Sequence, residues 1–269
     1  MVEYKLTEKE LMNFGYKQSF NEFGGVILEE AQKLSEKEIN NKMLLHYNPN
    51  VVYMNPGVCN GFGDAFGWAS FVCRLSEASG KTIKLSKIPV KSKNSIETIL
   101  QTTGRYQLVK PEPNTKIYSV RGSQRSKQFR EIYSWLFLPT RIANWQPNKS
   151  RKIAYQFGHG GATDRLIQDI NDETRILNAI RSKGYEPIEL GGSFGDIECV
   201  KRAAMCEFFV GTCSGMSHLC HSVGVPTHII TNLRSLERVS AGHVKNSRSP
   251  IPTTFWQHPN NFISFINTL

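Results

Sequence analysis

The run Phe208-Phe209-Val210-Gly211-Thr212-Cys213-Ser214-Gly215-Met216-Ser217-His218 passes from an apolar strand, through a turn of small residues, straight into a helix. At such a junction the first helical amides have no carbonyl to bond and the positive end of the helix points at one spot, which suits a phosphate or diphosphate. Thr212 and Met216 flank the turn, Ser214 and Ser217 offer hydroxyl donors, Gly215 lets an anion reach the backbone, and His218 falls in the first helical turn within reach of the same anion. The plainer reading is that Ser214 caps the helix and His218 is a satisfied, half-buried side chain. A second cluster, Asn60-Gly61-Phe62-Gly63-Asp64, places a carboxylate after two glycines at the start of another helix. A carboxylate there can take the proton of an attacking hydroxyl, with Gly61 and Gly63 letting the acceptor approach; the competing role for Asp64 is an N-cap.

Both clusters need strands behind them. Val51–Asn55 is a β-branched and aromatic run ended by Pro56-Gly57, residues 64–79 read as a helix and Thr82–Leu85 as the next strand, which makes a βαβ unit and a parallel sheet. Further short strands are expected in 105–120 and a helix in 124–138. The polar, proline-containing stretch Asn144–Ser150 marks a boundary between a domain of residues 1–148 and one of residues 149–269. In the second, strands at 152–157, 186–190, 207–211 and 227–231 alternate with helices at 169–183, 196–205 and 214–223, a doubly wound pattern of Rossmann type. Residues 1–48 read as a helical lead-in, with Val26, Ile27, Ala31 and Leu34 at near-helical spacing, and the tail 256–269 as an apolar helix that braces the first domain.

The segment from Gly211 to Ile230, with Gly215 three residues before His218 and with Gly224-Val225-Pro226 following, resembles the donor-binding loop and helix of heptosyltransferase-type glycosyltransferases. The resemblance implies a GT-B arrangement, two Rossmann-like domains whose parallel sheets face a cleft, and metal-independent transfer from a nucleotide-sugar donor of UDP or ADP type. It implies Asp64 as catalytic base, since family members carry Gly-Asp at the matching helix start. It implies that the loop His159 to Arg165 offsets the leaving diphosphate, through Arg165 with His159 or Thr163. It also implies that Gly191 and Gly192 border the base and ribose, with Glu198 on the ribose. The family carries an acidic residue, which contacts the donor sugar, where this chain has Cys213.

Charge bears on the acceptor. The net charge is +10, yet residues 81–152 hold 16 Lys/Arg against 3 Asp/Glu, an excess of +13, while the rest holds 17 against 20. A field of that kind favours a polyanion, although a solvated basic face that keeps the chain soluble is the alternative. Lys87, Arg121, Arg125 and Tyr133 are the acceptor-side candidates, and aromatic side chains near Tyr133 and Trp135 can stack on bases. DNA is the favoured acceptor, as for a phage-type enzyme that glycosylates a hydroxymethylated base; a surface glycan such as lipopolysaccharide core is the alternative. A sugar-nucleotide epimerase or hydrolase, or a non-catalytic nucleotide-sugar binder, would share the architecture. The last four of six cysteines recur every seven residues, but 208–211 reads as a strand and no CxxC pair exists, so they are expected to be reduced core thiols and no metal is expected. No stretch approaches the roughly 18 apolar residues of a membrane helix, and residues 1–10 alternate charge instead of forming an apolar signal region, so the cytoplasm is the expected compartment.

Overall fold

The structure is a computed structural model and describes residues 16–30, 34–45, 48, 50–54, 62–89, 93–101, 105–119, 143, 145–147, 149–158, 170–191, 194–231 and 253–269. The first sheet is formed by β3 (Val52–Met54), β4 (Ile83–Leu85), β5 (Tyr106–Leu108) and β6 (Ile117–Ser119), all parallel, in the order β5-β4-β3-β6. The chain therefore steps outward from β3 in one direction and returns to β3's other side for β6, creating a topological switch point between the carboxyl ends of β3 and β6. α2 (Phe62–Ser79) follows β3 and α3 (Lys93–Gln101) follows β4.

The second sheet has seven strands. Its parallel part is β7 (Lys152–Gln156), β8 (Glu186–Glu189), β9 (Phe208–Gly211), β10 (Thr227–Ile230) and β11 (Thr254–Trp256), in the order β8-β7-β9-β10-β11. Its switch point lies between β7 and β9, and α4 (Ile170–Ser182), α5 (Asp196–Ala204), α6 (Gly215–Ser222) and α7 (Pro259–Ile266) cover its faces. The βαβ unit expected at 51–85 and the alternation expected at 152–231 are present, α3 is a helix not expected from the sequence, and the helix expected at 124–138 lies outside the described residues.

The lead-in is not helical throughout. Residues 16–30 are a β-hairpin, β1 (Tyr16–Phe20) and β2 (Val26–Glu30), and β2 pairs antiparallel with β11, so this amino-terminal segment completes the carboxy-terminal sheet. The period is two, not 3.6: Val26 and Leu28 are buried while Ile27 between them is less so. The turn that fixes the register is Asn21 to Gly25, where the Asn21 side-chain oxygen accepts from the amides of Phe23 at 3.1 Å and Gly25 at 2.7 Å, and Gly24 takes φ +76°. Among the described residues of this lead-in, α1 (Glu36–Leu44) is the helical part, started by a capping box between Ser35 and Glu38. The tail helix α7 packs on α4 within its own sheet's layer, where Arg175 donates to the Asn260 side chain and Lys183 to the Asn267 carbonyl, and through Phe265 it meets Phe23 of the hairpin, ring centroids 6.1 Å apart, so its contact with the first 148 residues is with that hairpin.

The two sheets share one core. Apolar side chains of the first sheet and α3 (Ile83, Leu85, Ile96, Ile99) run through α2 and α6 to one face of β9 and β11 at Phe209 and Phe255. α2 is buried continuously from Ala65 to Ser76, because helices cover the sides that its sheet does not. A separate cluster on the other face of the second sheet joins Ile176, Ile180, Phe208, Trp256 and Phe262. Trp145 pins the connecting segment to the second unit, its amide donating to the Val223 carbonyl at 3.1 Å and its indole to the Cys206 carbonyl at 2.8 Å. Cys73, Cys199, Cys206, Cys213 and Cys220 are buried, as expected of core thiols, Cys59 lies outside the described residues, and burial pushes the Cys206 thiol up to about 11.

His228 in β10 sits among Phe208, Trp256, Phe262 and Phe265 and accepts from the Trp256 indole at 3.1 Å. Loss of water around the ring lowers its pKa from 6.5 to about 3. The unfolded chain therefore binds a proton that the folded chain refuses between those values, and stability contributed above pH 6.5 is lost as pH falls. Lowering the pH from 7.5 to 5 is expected to remove on the order of 2 kcal/mol through this residue. His228→Gln keeps an acceptor for Trp256 and cannot titrate; a thermal melt series should show a flatter acid limb for it than for the parent, and identical limbs would contradict the assignment.

Candidate active site

The carboxyl ends of β7 and β9 meet at Gln156 and Gly211, which are register partners. A side chain on Gly211 would overlap the Gln156 carbonyl oxygen and stand 2.8 Å from the Phe209 ring, so the strand ends here on the only residue that fits. The Thr212 amide then donates to the Gln156 carbonyl at 3.2 Å, and the chain turns into α6 at Ser214.

Ser214 and Ser217 form a reciprocal cap. The Ser217 amide donates to Ser214 Oγ at 3.3 Å, and the Ser214 amide to Ser217 Oγ at 3.0 Å. Their hydroxyl hydrogens are committed as well, Ser217 Oγ donating to the Ser214 carbonyl at 2.8 Å and Ser214 Oγ to Gln156 Oε1 at 2.9 Å. Of the two roles read from the sequence, the structure shows the cap, and Ser217 is fully buried. What the turn does leave for an anion is backbone, since the amides of Gly215 and Met216 have no acceptor among the described residues. His218 is buried beneath the turn with Nε2 3.8 Å from Cys213 Sγ, and Thr212, Cys213 and Met216 are buried too.

The start of α2 arrives at the same place. A methyl group added to Gly63 would stand 3.4 Å from the Gly215 Cα and 3.7 Å from its nitrogen, so the first turns of α2 and α6, each springing from its own sheet's switch point, abut through two glycines. The sequence offered Gly63 to an acceptor; the structure brings it against the donor-side turn. Asp64 is the next residue, the third of α2, which places it inside the helix and not at the N-cap position. At the rim, Ser95 in the first turn of α3 donates to Asp196 at the start of α5 at 3.2 Å, a second tie between the two units.

Gly191, at φ +114°, ends β8 beside the Gln156 side chain. Glu198 is exposed on α5 and makes no recorded contact with the turn, and Lys87 is exposed just past β4 at the carboxyl edge of the first sheet. Gly61, Arg121, Arg125, Tyr133, His159, Thr163, Arg165 and Gly192 lie outside the described residues. Gln156 escaped the sequence reading altogether; the signal was its place as the polar last residue of the strand, directly after the run Ile153-Ala154-Tyr155 and beside the switch point. Among the described residues no group of three His, Cys, Asp or Glu side chains could hold a metal ion, and no helix is long and apolar enough to cross a membrane.

No family model matches this chain, and no curated protein matches it in sequence. Solved structures do match in fold. The iron-containing dodecameric glycosyltransferase TibC of enterotoxigenic E. coli H10407 aligns over 70% of this chain and 61% of its own, with TM-score 0.50 and 14% identity. TibC described as a heptosyltransferase in complex with ADP-D-beta-D-heptose aligns over 80% and 66%, with TM-score 0.52 and 12% identity. This chain thus spans a little under two thirds of the length of the enzyme it matches. What is shared is the fold: a mixed α/β structure with parallel sheets, of the GT-B kind seen in heptosyltransferases.

Proposed function

We propose that the protein is a heptosyltransferase-like glycosyltransferase that moves a sugar from a UDP- or ADP-type nucleotide sugar to an acceptor hydroxyl. The observation that supports this reading is the meeting of the first turns of α2 and α6 at Gly63 and Gly215, with Asp64 next in sequence to Gly63 and the Gly215 and Met216 amides at the other helix start. In the proposed reaction the Asp64 carboxylate takes the acceptor O–H proton as that oxygen bonds to the anomeric carbon. The bond from that carbon to the phosphate oxygen breaks, and the nucleoside diphosphate leaves with the electron pair. The Gly215 and Met216 amides and the α6 dipole stabilise the departing charge, with Arg165 and His159 or Thr163 assisting from the loop after β7. The acceptor side comprises residues 1–148 and the donor side 149–269, to which the hairpin 16–30 adds strands. The reaction as drawn calls on no metal and is placed in the cytoplasm, where nucleotide sugars are supplied.

A surface glycan such as phosphorylated lipopolysaccharide core is the acceptor most in keeping with the fold neighbours. A hydroxymethylated base in DNA is the second reading, favoured by the +13 segment, whose described basic side chains are exposed apart from the half-buried Lys152; Lys87 and Lys110 at the carboxyl edge of the first sheet are among the exposed ones. The test is mass analysis after incubating the protein with mixed nucleotide sugars and, separately, lipopolysaccharide core, hydroxymethylcytosine DNA and plain DNA. A sugar-sized gain on one acceptor establishes transfer and names it. Donor breakdown without transfer would indicate a hydrolase, and donor binding without turnover a binder; either would overturn the proposal.

A further inference from the structure

Gln156 holds the donor turn at both levels. Its carbonyl oxygen accepts from the Thr212 amide at 3.2 Å and its side-chain oxygen from Ser214 Oγ at 2.9 Å. The orientation of the amide follows from the cap: Ser214 Oγ already accepts the Ser217 amide, and its hydrogen has no other acceptor among the described residues, so Gln156 must present oxygen to it. The nitrogen Nε2 is thereby turned toward Gly191 at the end of β8; a methyl group there would stand 3.4 Å from it. Nε2 has no acceptor among the described residues and the side chain is only partly buried, so two donor hydrogens face the gap between the carboxyl ends of β7 and β8. In a doubly wound sheet that gap lies beside the switch point, where the nucleoside of a bound nucleotide rests while its phosphates go to the neighbouring helix start.

We propose that Gln156 is a donor-specificity residue: Oε1 fixes the Ser214 turn, which aims the Gly215 and Met216 amides, and Nε2 donates to an oxygen or ring nitrogen of the donor's nucleoside. The inference rests on the nucleotide-sugar reading. It separates two parts of one ligand, because pyrophosphate needs only the turn and a nucleoside diphosphate needs the turn and Nε2.

Calorimetric titration of ADP, UDP and inorganic pyrophosphate into the full chain, the parent and two variants, tests it. Gln156→Met removes both polar atoms at similar length; Gln156→Asn keeps the amide but retracts it by one methylene, and serves if the first variant folds poorly. The expected result is a loss of about tenfold or more in affinity for one or both nucleoside diphosphates, with a smaller loss for pyrophosphate. Equal losses for all three would reduce Gln156 to a support of the turn, and unchanged affinities would remove it from the site; either overturns the inference while leaving the transferase reading intact. If the parent itself binds no nucleoside diphosphate, the transferase reading falls first and this inference with it.

Discussion

Asp64→Asn is expected to lower kcat by a factor of about 10² to 10⁴ while the affinity for the nucleotide sugar stays that of the parent. Asparagine matches aspartate in shape but cannot accept the acceptor's proton, so an effect confined to turnover identifies a base. The helix position sharpens this. A capping aspartate stands before the first helical residue, and its loss costs stability of about 1 kcal/mol. Asp64 is the third residue of α2, so by its place in the helix it is not the cap. Turnover of Asp64→Asn should also lose the acid limb of the parent's pH profile. A variant with parental kcat and a lowered melting temperature would assign Asp64 to the helix and leave the base to be found elsewhere.

The turn into α6 and the parallel sheets behind it were legible in the sequence, and the reasons differ from part to part. The turn from Gly211 to His218 announced itself because small residues run straight from an apolar strand into a helix start, where Ser214 and Ser217 cap each other across three residues. The parallel sheets followed from strands buried on both faces, such as Phe208–Val210, whose alternate side chains feed the two cores. The hairpin 16–30 was missed because Val26 and Ile27 with Ala31 and Leu34 mimic a helical stripe, while its actual partner, β11, lies more than 200 residues away along the chain. Local spacing carries no information about such a partner; only the Asn21 to Gly25 turn did. Gln156 and the Gly63–Gly215 contact were invisible for the same reason, since each is defined by what the other end of the chain brings to it.

That contact yields the other large effect. Gly63→Ala is expected to weaken nucleoside diphosphate binding by roughly 10- to 150-fold, the weight of one hydrogen bond to a charged group at about 1.5–3 kcal/mol. The added methyl would stand 3.7 Å from the Gly215 nitrogen, and the prediction is that it crowds an anion oxygen bonded to that amide. The chain's own stability should move little or even rise, because alanine is favoured over glycine in a helix by about 1 kcal/mol and the 3.4 Å approach to the Gly215 Cα asks for only a small shift of one first turn. Gly63→Val, with a branched side chain in the same space, should abolish binding. If Gly63 merely lets α2 and α6 pack, the pattern reverses: the melting temperature drops as the helices are forced apart and the affinity of the folded fraction is unchanged. Binding lost with the fold intact would show instead that the amino-terminal unit shapes the phosphate site of the carboxy-terminal one, so that the donor can be held only while the two helix starts face each other. A shared core through α2 and α6, together with the Ser95–Asp196 tie at the rim, is what would keep them so.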